Sequence, residues 1–359
     1  MTKLTKRTKL ELFIELLKDQ DRKSLFQIIS EFLNLLLIHR EFPTHYFSRY
    51  LFKKRTTNIK DYLPNKLLDE KIPSILNDKK VKEVLDNKLY FDLYYSQFNI
   101  SLPKILMYNH KEIFIVGNKL IKVHNASDLL ILLEEIFKQN SPYDSIMIKK
   151  TYASSSGNQI YKLFLRQLRT DPEKVNEIYS QVTRSEFLFQ ETVRQHPELD
   201  KLNSSCLNTI RIDTFIGADG KIDIISAHIR MSANNYHVDN INSGGCAVGI
   251  DLQTGKLKKY GYSDIHAVGV KVLTEHPITK TVFENFSIPF FPQVKELALK
   301  TASFMPGLRL IGWDVAIGES GPVLIEGNSN YEISGSDFLN GGYLANTTFR
   351  KVLHEINYL

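Results

Sequence analysis

The sequence predicts an α+β protein of two lobes with an N-terminal helical extension, and three observations carry that prediction. Apolar residues recur at helical spacing through the first 60 residues, strand–turn–strand patterns dominate the second half, and 359 residues exceed what one compact core organises. At 43% hydrophobic and 24% charged, the composition excludes a disordered or collagen-like chain. Two cysteines, Cys206 and Cys246, are too few for a disulfide scaffold, and no Cys/His cluster has zinc-ligand spacing. Apolar runs such as Leu35-Leu36-Leu37-Ile38 fall far short of the roughly 20 residues that span a bilayer. Lys3, Lys6, Arg7 and Lys9 lead into a segment interrupted by Glu11 and Glu15, unlike a signal peptide. A cytoplasmic location with reduced thiols is the expectation.

Each element follows in order. In the extension, Leu10, Phe13, Ile14 and Leu17, then Leu25, Ile28, Ile29, Phe32, Leu33 and Leu36, fall at spacings of three and four. The net charge of +6 concentrates here: residues 1–60 hold 13 Lys/Arg against 6 Asp/Glu, leaving 33 bases and 34 acids for the remainder. A solvated face, peripheral contact with an anionic membrane (at its inner face) and an acidic partner all fit; nucleic acid fits least, because no binding module accompanies the charge. Three regions result: a basic helical region at 1–80, a first lobe at 81–185 and a second at 186–359.

In the first lobe, Lys79–Phe98 reads as helix, ending at Asn99-Ile100-Ser101-Leu102-Pro103. Ile113–Val116 and Leu120–Val123 read as strands, Ser127–Lys138 as a helix capped by Ser127, and Ile146–Ile148 as a strand entering the loop 151–157. The second lobe is built on hairpins: 209–216 with 221–230, 248–252 with 257–260, and 311–317 with 323–325, after a helix near Phe291–Met305. No GxGxxG follows any expected strand, so no dinucleotide fold is indicated.

The last hairpin is the most informative stretch. Residues two apart in a strand share a face, so Glu326 and Asn328 point the same way. A turn centred on Ser320 sets Asp314 directly opposite Glu326, while Ile311, Trp313, Val315, Ile317, Val323 and Ile325 mark the core face. Opposed like charges destabilise a sheet, and a divalent cation explains the pair best; all-oxygen ligands select Mg²⁺ or Mn²⁺ over zinc. A shared proton or an arginine-bridged pair are the alternatives. Gly312 and Gly327 leave room for close approach of a ligand. Arg211 shares a strand face with Asp213, away from Ile210 and Ile212, and should look into a cleft; Arg230 ends the return strand. His228, His237 and His266 have no mutual spacing that forces a metal site and read as surface or substrate-side residues.

The Asp314…Glu326-Gly-Asn328 pattern resembles the metal-binding end of ATP-grasp ligases. The longer string from Ile311 through Asn328 is similar to the sugar-transfer-associated ATP-grasp family, as are Leu207-Asn-Thr-Ile-Arg-Ile and Asp239-Asn-Ile-Asn-Ser-Gly-Gly. The resemblance runs from about Asn87 to Tyr331 and implies an ATP-grasp fold, two α+β lobes gripping ATP. It further implies one or two Mg²⁺ ions, with Mn²⁺ as the substitute, held by Asp314, Glu326 and Asn328. Lys88 resembles the first nucleotide lysine. Lys150 is the preferred second, standing before the place where the family often has proline and this chain has Thr151, with Lys149 as the fallback on the opposite face. Ser154, Ser155, Ser156 and Gly157 resemble the phosphate-covering loop, poorer in glycine than usual. Gln190 and Glu191 resemble the hinge, Glu191 as ribose ligand; Asn240, Gly244 and Gly245 would line the triphosphate. Arg211 and Arg230 would serve catalysis by holding the transferring phosphoryl group. The implied activity is ATP-dependent amide formation between a small-molecule or glycan-linked carboxylate and an amine, in cell-surface polysaccharide assembly. A small-molecule kinase and a nucleotide-binding scaffold without turnover are the alternatives.

Overall fold

Two antiparallel sheets organise the chain. The computed structural model describes residues 17–139, 144–152, 160–233, 245–263 and 270–359. The first sheet comprises β1 (Ile105–His110), β2 (Ile113–Val116), β3 (Lys119–Lys122), β4 (Ser145–Lys150), β5 (Ile160–Phe164) and β6 (Glu186–Glu191), in the order β3-β2-β1-β6-β4-β5. One face presents Ile146, Ile148, Phe187 and Phe189 to Leu129, Leu133, Val175 and Ile178 of the helices Ala126–Gln139 and Pro172–Val182. The other face carries Met147, Lys149, Leu188 and Gln190, paired across β4 and β6.

The second sheet comprises β7 (Thr209–Ile216), β8 (Ile222–Ser232), β9 (Gly245–Ile250), β10 (Leu257–Ser263), β11 (Lys271–Leu273), β12 (Leu310–Gly318) and β13 (Gly321–Asn328), in the order β11-β10-β9-β8-β7-β12-β13. Its apolar face, with Ile210, Ile212, Ile229, Val248, Trp313 and Val315, is covered by the helices Phe291–Ser303 and Lys88–Tyr95. Its other face divides. Phe215, Ile225 and Leu310 pack against Leu63, Leu68, Phe349 and Leu353, whereas Arg211, Arg230, Asp314 and Glu326 form a polar patch.

Three local expectations need correction. The helix expected over 79–98 is broken at Asn87, whose extended backbone ends Glu83–Asp86 and whose Oδ1 accepts from the N–H groups of Leu89 and Tyr90, capping Lys88–Tyr95. The helix from Ala126 is capped by Asn125, which accepts from Asp128 N at 2.9 Å, not by Ser127. Leu324, and not Val323 or Ile325, supplies the core residue of β13, because Ile325 is an extra residue bulged between Leu324 and Glu326. Helical residues 25–39 and 44–48 do occupy the N-terminal region, packing through Ile28, Leu35 and Tyr46 on Ala247, Phe338 and Leu339. The segment 88–95, although assigned from sequence to the first lobe, buries Phe91 and Tyr95 in the core of the second sheet.

Candidate active site

The acidic hairpin turns at Glu319-Ser320 between paired Gly318 and Gly321, and near the turn positions pair with a sum of 639. The bulge at Ile325 adds one residue, so Asp314 stands opposite Glu326, and Gly312 opposite Asn328. On its other side Asp314 faces Arg211 of β7. Arg211 grips it in a fork, Nε to Oδ1 at 2.6 Å and a terminal nitrogen to Oδ2 at 3.1 Å, and Arg230 adds a contact to Oδ2 at 2.7 Å. Arg230 also donates to Thr209 Oγ1, and Arg211 lies over the Tyr331 ring, 5.4 Å from its centroid. Burial alone would raise the Asp314 pKa, but Arg211 and then Arg230 outweigh it and hold the carboxyl well below the usual carboxylate range. Asp314 as it stands is therefore neutralised by two arginines, neither of which makes a contact that bridges it to Glu326 among the described residues.

Glu326 is compensated separately. Lys88 Nζ lies 3.3 Å from its Oε2, and Asn328 Nδ2 is 3.3 Å from its Oε1 and 3.5 Å from Asp314 Oδ2. Lys88 is placed by its own backbone: its N–H donates to Thr151 O at 2.8 Å, which ties the start of the helix to the end of β4. Lys149, two residues upstream on β4, is thereby a neighbour of Lys88 and Glu326. It is 9% exposed, and among the described residues it makes no ion pair. Burial lowers its pKa, Lys88 lowers it further, and Asp92 and Glu326 oppose them.

Asp92 is a site residue with no counterpart in the sequence reading. It is buried on the helix turn after Lys88, receives a hydrogen bond from Gln190 Nε2, and has its pKa pushed up to about 7 by burial, against the pull of Lys149 and Lys88. Its signal was present: Asp92 lies four residues after Lys88, hence on the same helical face. Gln190 is buried on the Lys149 face, and among the described residues its Oε1 has no hydrogen-bond partner. Lys150 lies on the opposite face, aligned with Ile146 and Ile148 and paired with Phe187, where the helices cover the sheet. Of the two lysines it is Lys149 that joins the cluster. Glu191 sits on that opposite face as well, and its Oε1 accepts from Lys104 N at 2.9 Å, closing the strand end.

The two glycines have a structural cause that involves no ligand. A Cβ on Gly312 would lie 2.9 Å from Arg211 Cδ and 3.0 Å from the Tyr331 ring, and one on Gly327 would lie 2.6 Å from Trp313 Cζ3. Each glycine thus makes room for the chain's own side chains. Trp313 is core, donating Nε1–H to Thr214 Oγ1 at 2.8 Å and meeting Tyr95 edge-on. His228 is buried on the polar face opposite Arg211; burial, Arg211 and Arg230 push its pKa far below the usual value, so the ring is neutral. Gly245 opens β9 opposite Ser232. Ser154, Ser155, Ser156, Gly157, Asn240, Gly244, His237 and His266 lie outside the described residues.

The donor set fits a hard divalent cation. Asp314 and Glu326 offer carboxylate oxygens, whereas Asn328 turns its Nδ2 toward both of them, so its Oδ1 would serve a metal only after the amide turns over. Among the described residues no group of three or more His, Cys, Asp or Glu gathers that could hold a metal ion.

Two antiparallel sheets thus lend lysines, arginines and carboxylates to one shared cluster. Residues 69–352 match the family model described as sugar-transfer associated ATP-grasp, and the chain belongs to that family. No curated protein matches the chain. Among solved structures it is similar to D-alanyl-alanine synthetase A from Vibrio cholerae, at 14% identity over 82% of this chain and 74% of that one, with a TM-score of 0.45. It is also similar to an ADP complex of N5-carboxyaminoimidazole ribonucleotide synthetase, at 10% identity over 72% of this chain, with a TM-score of 0.41; the chain spans 50% of that protein's length. A biotin carboxylase from Campylobacter jejuni matches at 9% identity over 78% of this chain and 48% of its own, with a TM-score of 0.43.

Proposed function

We propose that the protein is an ATP-dependent carboxylate–amine ligase acting in cell-surface glycan assembly. The observation that carries this reading is Lys149, a buried cation without an ion pair among the described residues, set beside Lys88 and facing the acidic hairpin. A buried charge is expensive unless an opposite charge joins it, and a triphosphate supplies that charge where two lysines converge. Lys88 and Lys149 would bind the nucleotide phosphates, Arg211 and Arg230 the transferring phosphoryl group, and Gln190 Oε1 would accept from a ligand donor at the hinge. Glu326, Asn328 and Asp314 would hold Mg²⁺, which neutralises charge between phosphates when bound.

In the reaction, a carboxylate oxygen of the acid attacks the γ-phosphorus and ADP leaves with the bridging oxygen. The amine nitrogen then attacks the acyl carbon, phosphate departs and the nitrogen loses a proton, leaving an amide. The chain's task is positioning and charge stabilisation, for which Arg211 is suited: Asp314 fixes its guanidinium plane before substrate arrives. Hydroxylamine trapping is the test. A hydroxamate formed from the acid with ATP, and ADP in equal amount, supports acyl activation; a phosphorylated hydroxyl product with no hydroxamate would replace the ligase reading with a kinase one.

A further inference from the structure

The N-terminal helix Leu25–His39 has two apolar faces, and the described residues cover one of them. Ile28 and Leu35 are buried against the cluster that includes Tyr46, Leu51 and Phe338. Glu31, the helix's one carboxylate, is turned inward and taken by Lys23 at 2.7 Å and by Tyr46 Oη at 2.8 Å. On the other side Leu25, Phe26, Ile29, Leu33 and Leu37 are exposed, Phe26 to 85% and Leu37 to 79%. At about 100° per residue these five fall within a single arc of roughly 120°. The remaining exposed polar residues of the helix, Gln27, Ser30 and Asn34, carry no charge. Scattered surface leucines need no explanation, but a contiguous stripe of this kind marks an interaction surface.

Charge decides between the occupants. Residues 17–60 hold nine Lys/Arg against four Asp/Glu. Exposed or half-exposed Lys18 and Arg22 precede the helix, Arg40 follows it, and Lys54 and Arg55 lie on the adjoining segment. Asp19 is neutralised by Lys53 at 2.6 Å. A second copy packed on this stripe by two-fold symmetry would bring one basic helix end against the other. An anionic lipid surface meets both properties together: the uncharged arc enters the acyl boundary and the flanking bases meet the headgroups. No described helix is long and apolar enough to cross a membrane, so the contact is one that lies on the surface.

We propose that Leu25–His39 is an interfacial docking helix for anionic membranes, inserting Phe26, Ile29, Leu33 and Leu37. This is independent of the reaction assigned above. The test is flotation of the full-length protein with phosphatidylcholine vesicles, with and without phosphatidylglycerol, alongside sedimentation analysis of its oligomeric state. The wild type should float with anionic vesicles and less with neutral ones, and added salt should weaken the binding. The double substitution Phe26→Ser/Leu37→Ser should reduce partitioning by at least about tenfold, since each side chain gives up an apolar surface worth more than that on insertion. Both positions are exposed, so an unchanged melting temperature is expected and verifies the fold. Arg22→Gln/Arg40→Gln should flatten the salt dependence while leaving residual binding. Unchanged flotation of the serine variant would overturn the proposal. So would a wild-type protein that ignores vesicles, whether it stays monomeric or forms a dimer that the serine variant dissolves.

Discussion

Exchanging Lys149 or Lys150 for methionine separates two adjacent lysines, of which the sequence resemblance prefers Lys150 and the packing points to Lys149. Lys149 faces the cluster of Lys88, Asp92 and Glu326, whereas Lys150 is on the helix-covered face of the sheet. A lysine–phosphate contact is a hydrogen bond to a charged group, worth about 1.5–3 kcal/mol, or roughly 10- to 150-fold in Kd. Lys149→Met should weaken MgATP binding by that factor in calorimetric titration, and Lys150→Met by no more than about threefold. Stability should move differently. Lys149 is buried and unpaired among the described residues, so an apolar replacement of similar length removes a desolvation cost. Asp92, losing the opposing charge, can take up a proton. Lys149→Met should therefore melt no lower than the wild type. The reasoning fails if Lys150→Met abolishes ATP binding while Lys149→Met preserves it, or if Lys149→Met loses affinity only through a large fall in melting temperature.

The other predictions concern the same cluster. Glu326→Gln should eliminate Mg²⁺-dependent ADP formation with little loss of stability, since Glu326 is partly exposed. Asp314→Asn should also cost about 3–5 kcal/mol in urea unfolding, because it strips the buried Arg211 and the half-buried Arg230 of their shared partner. Equal stability of the two variants would contradict that. Asp92 has a folded pKa of about 7 against an ordinary 3.8, so the folded state holds its proton longer than the unfolded chain does. Its cost to stability then grows as pH climbs from about 4 to about 7, and Asp92→Asn should gain melting temperature over the wild type across that window, with no gain below it. A pH-independent difference would refute the burial argument. Gly327→Ala should cost about 1–3 kcal/mol by forcing Trp313 off its seat, with ATP affinity unchanged when corrected for folding.

Much of the acidic hairpin is legible in its sequence, for a reason partly fortuitous. Alternation places Asp314, Glu326 and Asn328 on one face, and a turn centred on Ser320 pairs Asp314 with Glu326. The turn is in fact centred half a residue earlier, and the bulge at Ile325 restores the pairing. The bulge leaves no mark in the hydrophobic pattern, which is why Val323 and Ile325 looked like core and Leu324 did not. Alternation likewise puts Lys149 and Lys150 on opposite faces, but which face the helices cover depends on packing from residues 126–139 and 172–182. Gly312 and Gly327 show the same limit: their spacing announces close approach, and only tertiary contacts reveal that Arg211, Tyr331 and Trp313 approach them. An acid within Lys88–Tyr95, such as Asp92, has the sequence appearance of a solvated helix residue until Gln190 and Lys149 close over it.

The central claim is that this cluster activates a carboxylate with MgATP. Its most direct measurement is ADP release across a panel of sugar acids paired with amino acids, with and without Mg²⁺, by wild-type and Glu326→Gln protein. The account predicts Mg²⁺-dependent ADP release that requires an acid, yields amide in equal amount and vanishes in Glu326→Gln. ADP release that is indifferent to the acid, or that persists at the wild-type rate in Glu326→Gln, would contradict it.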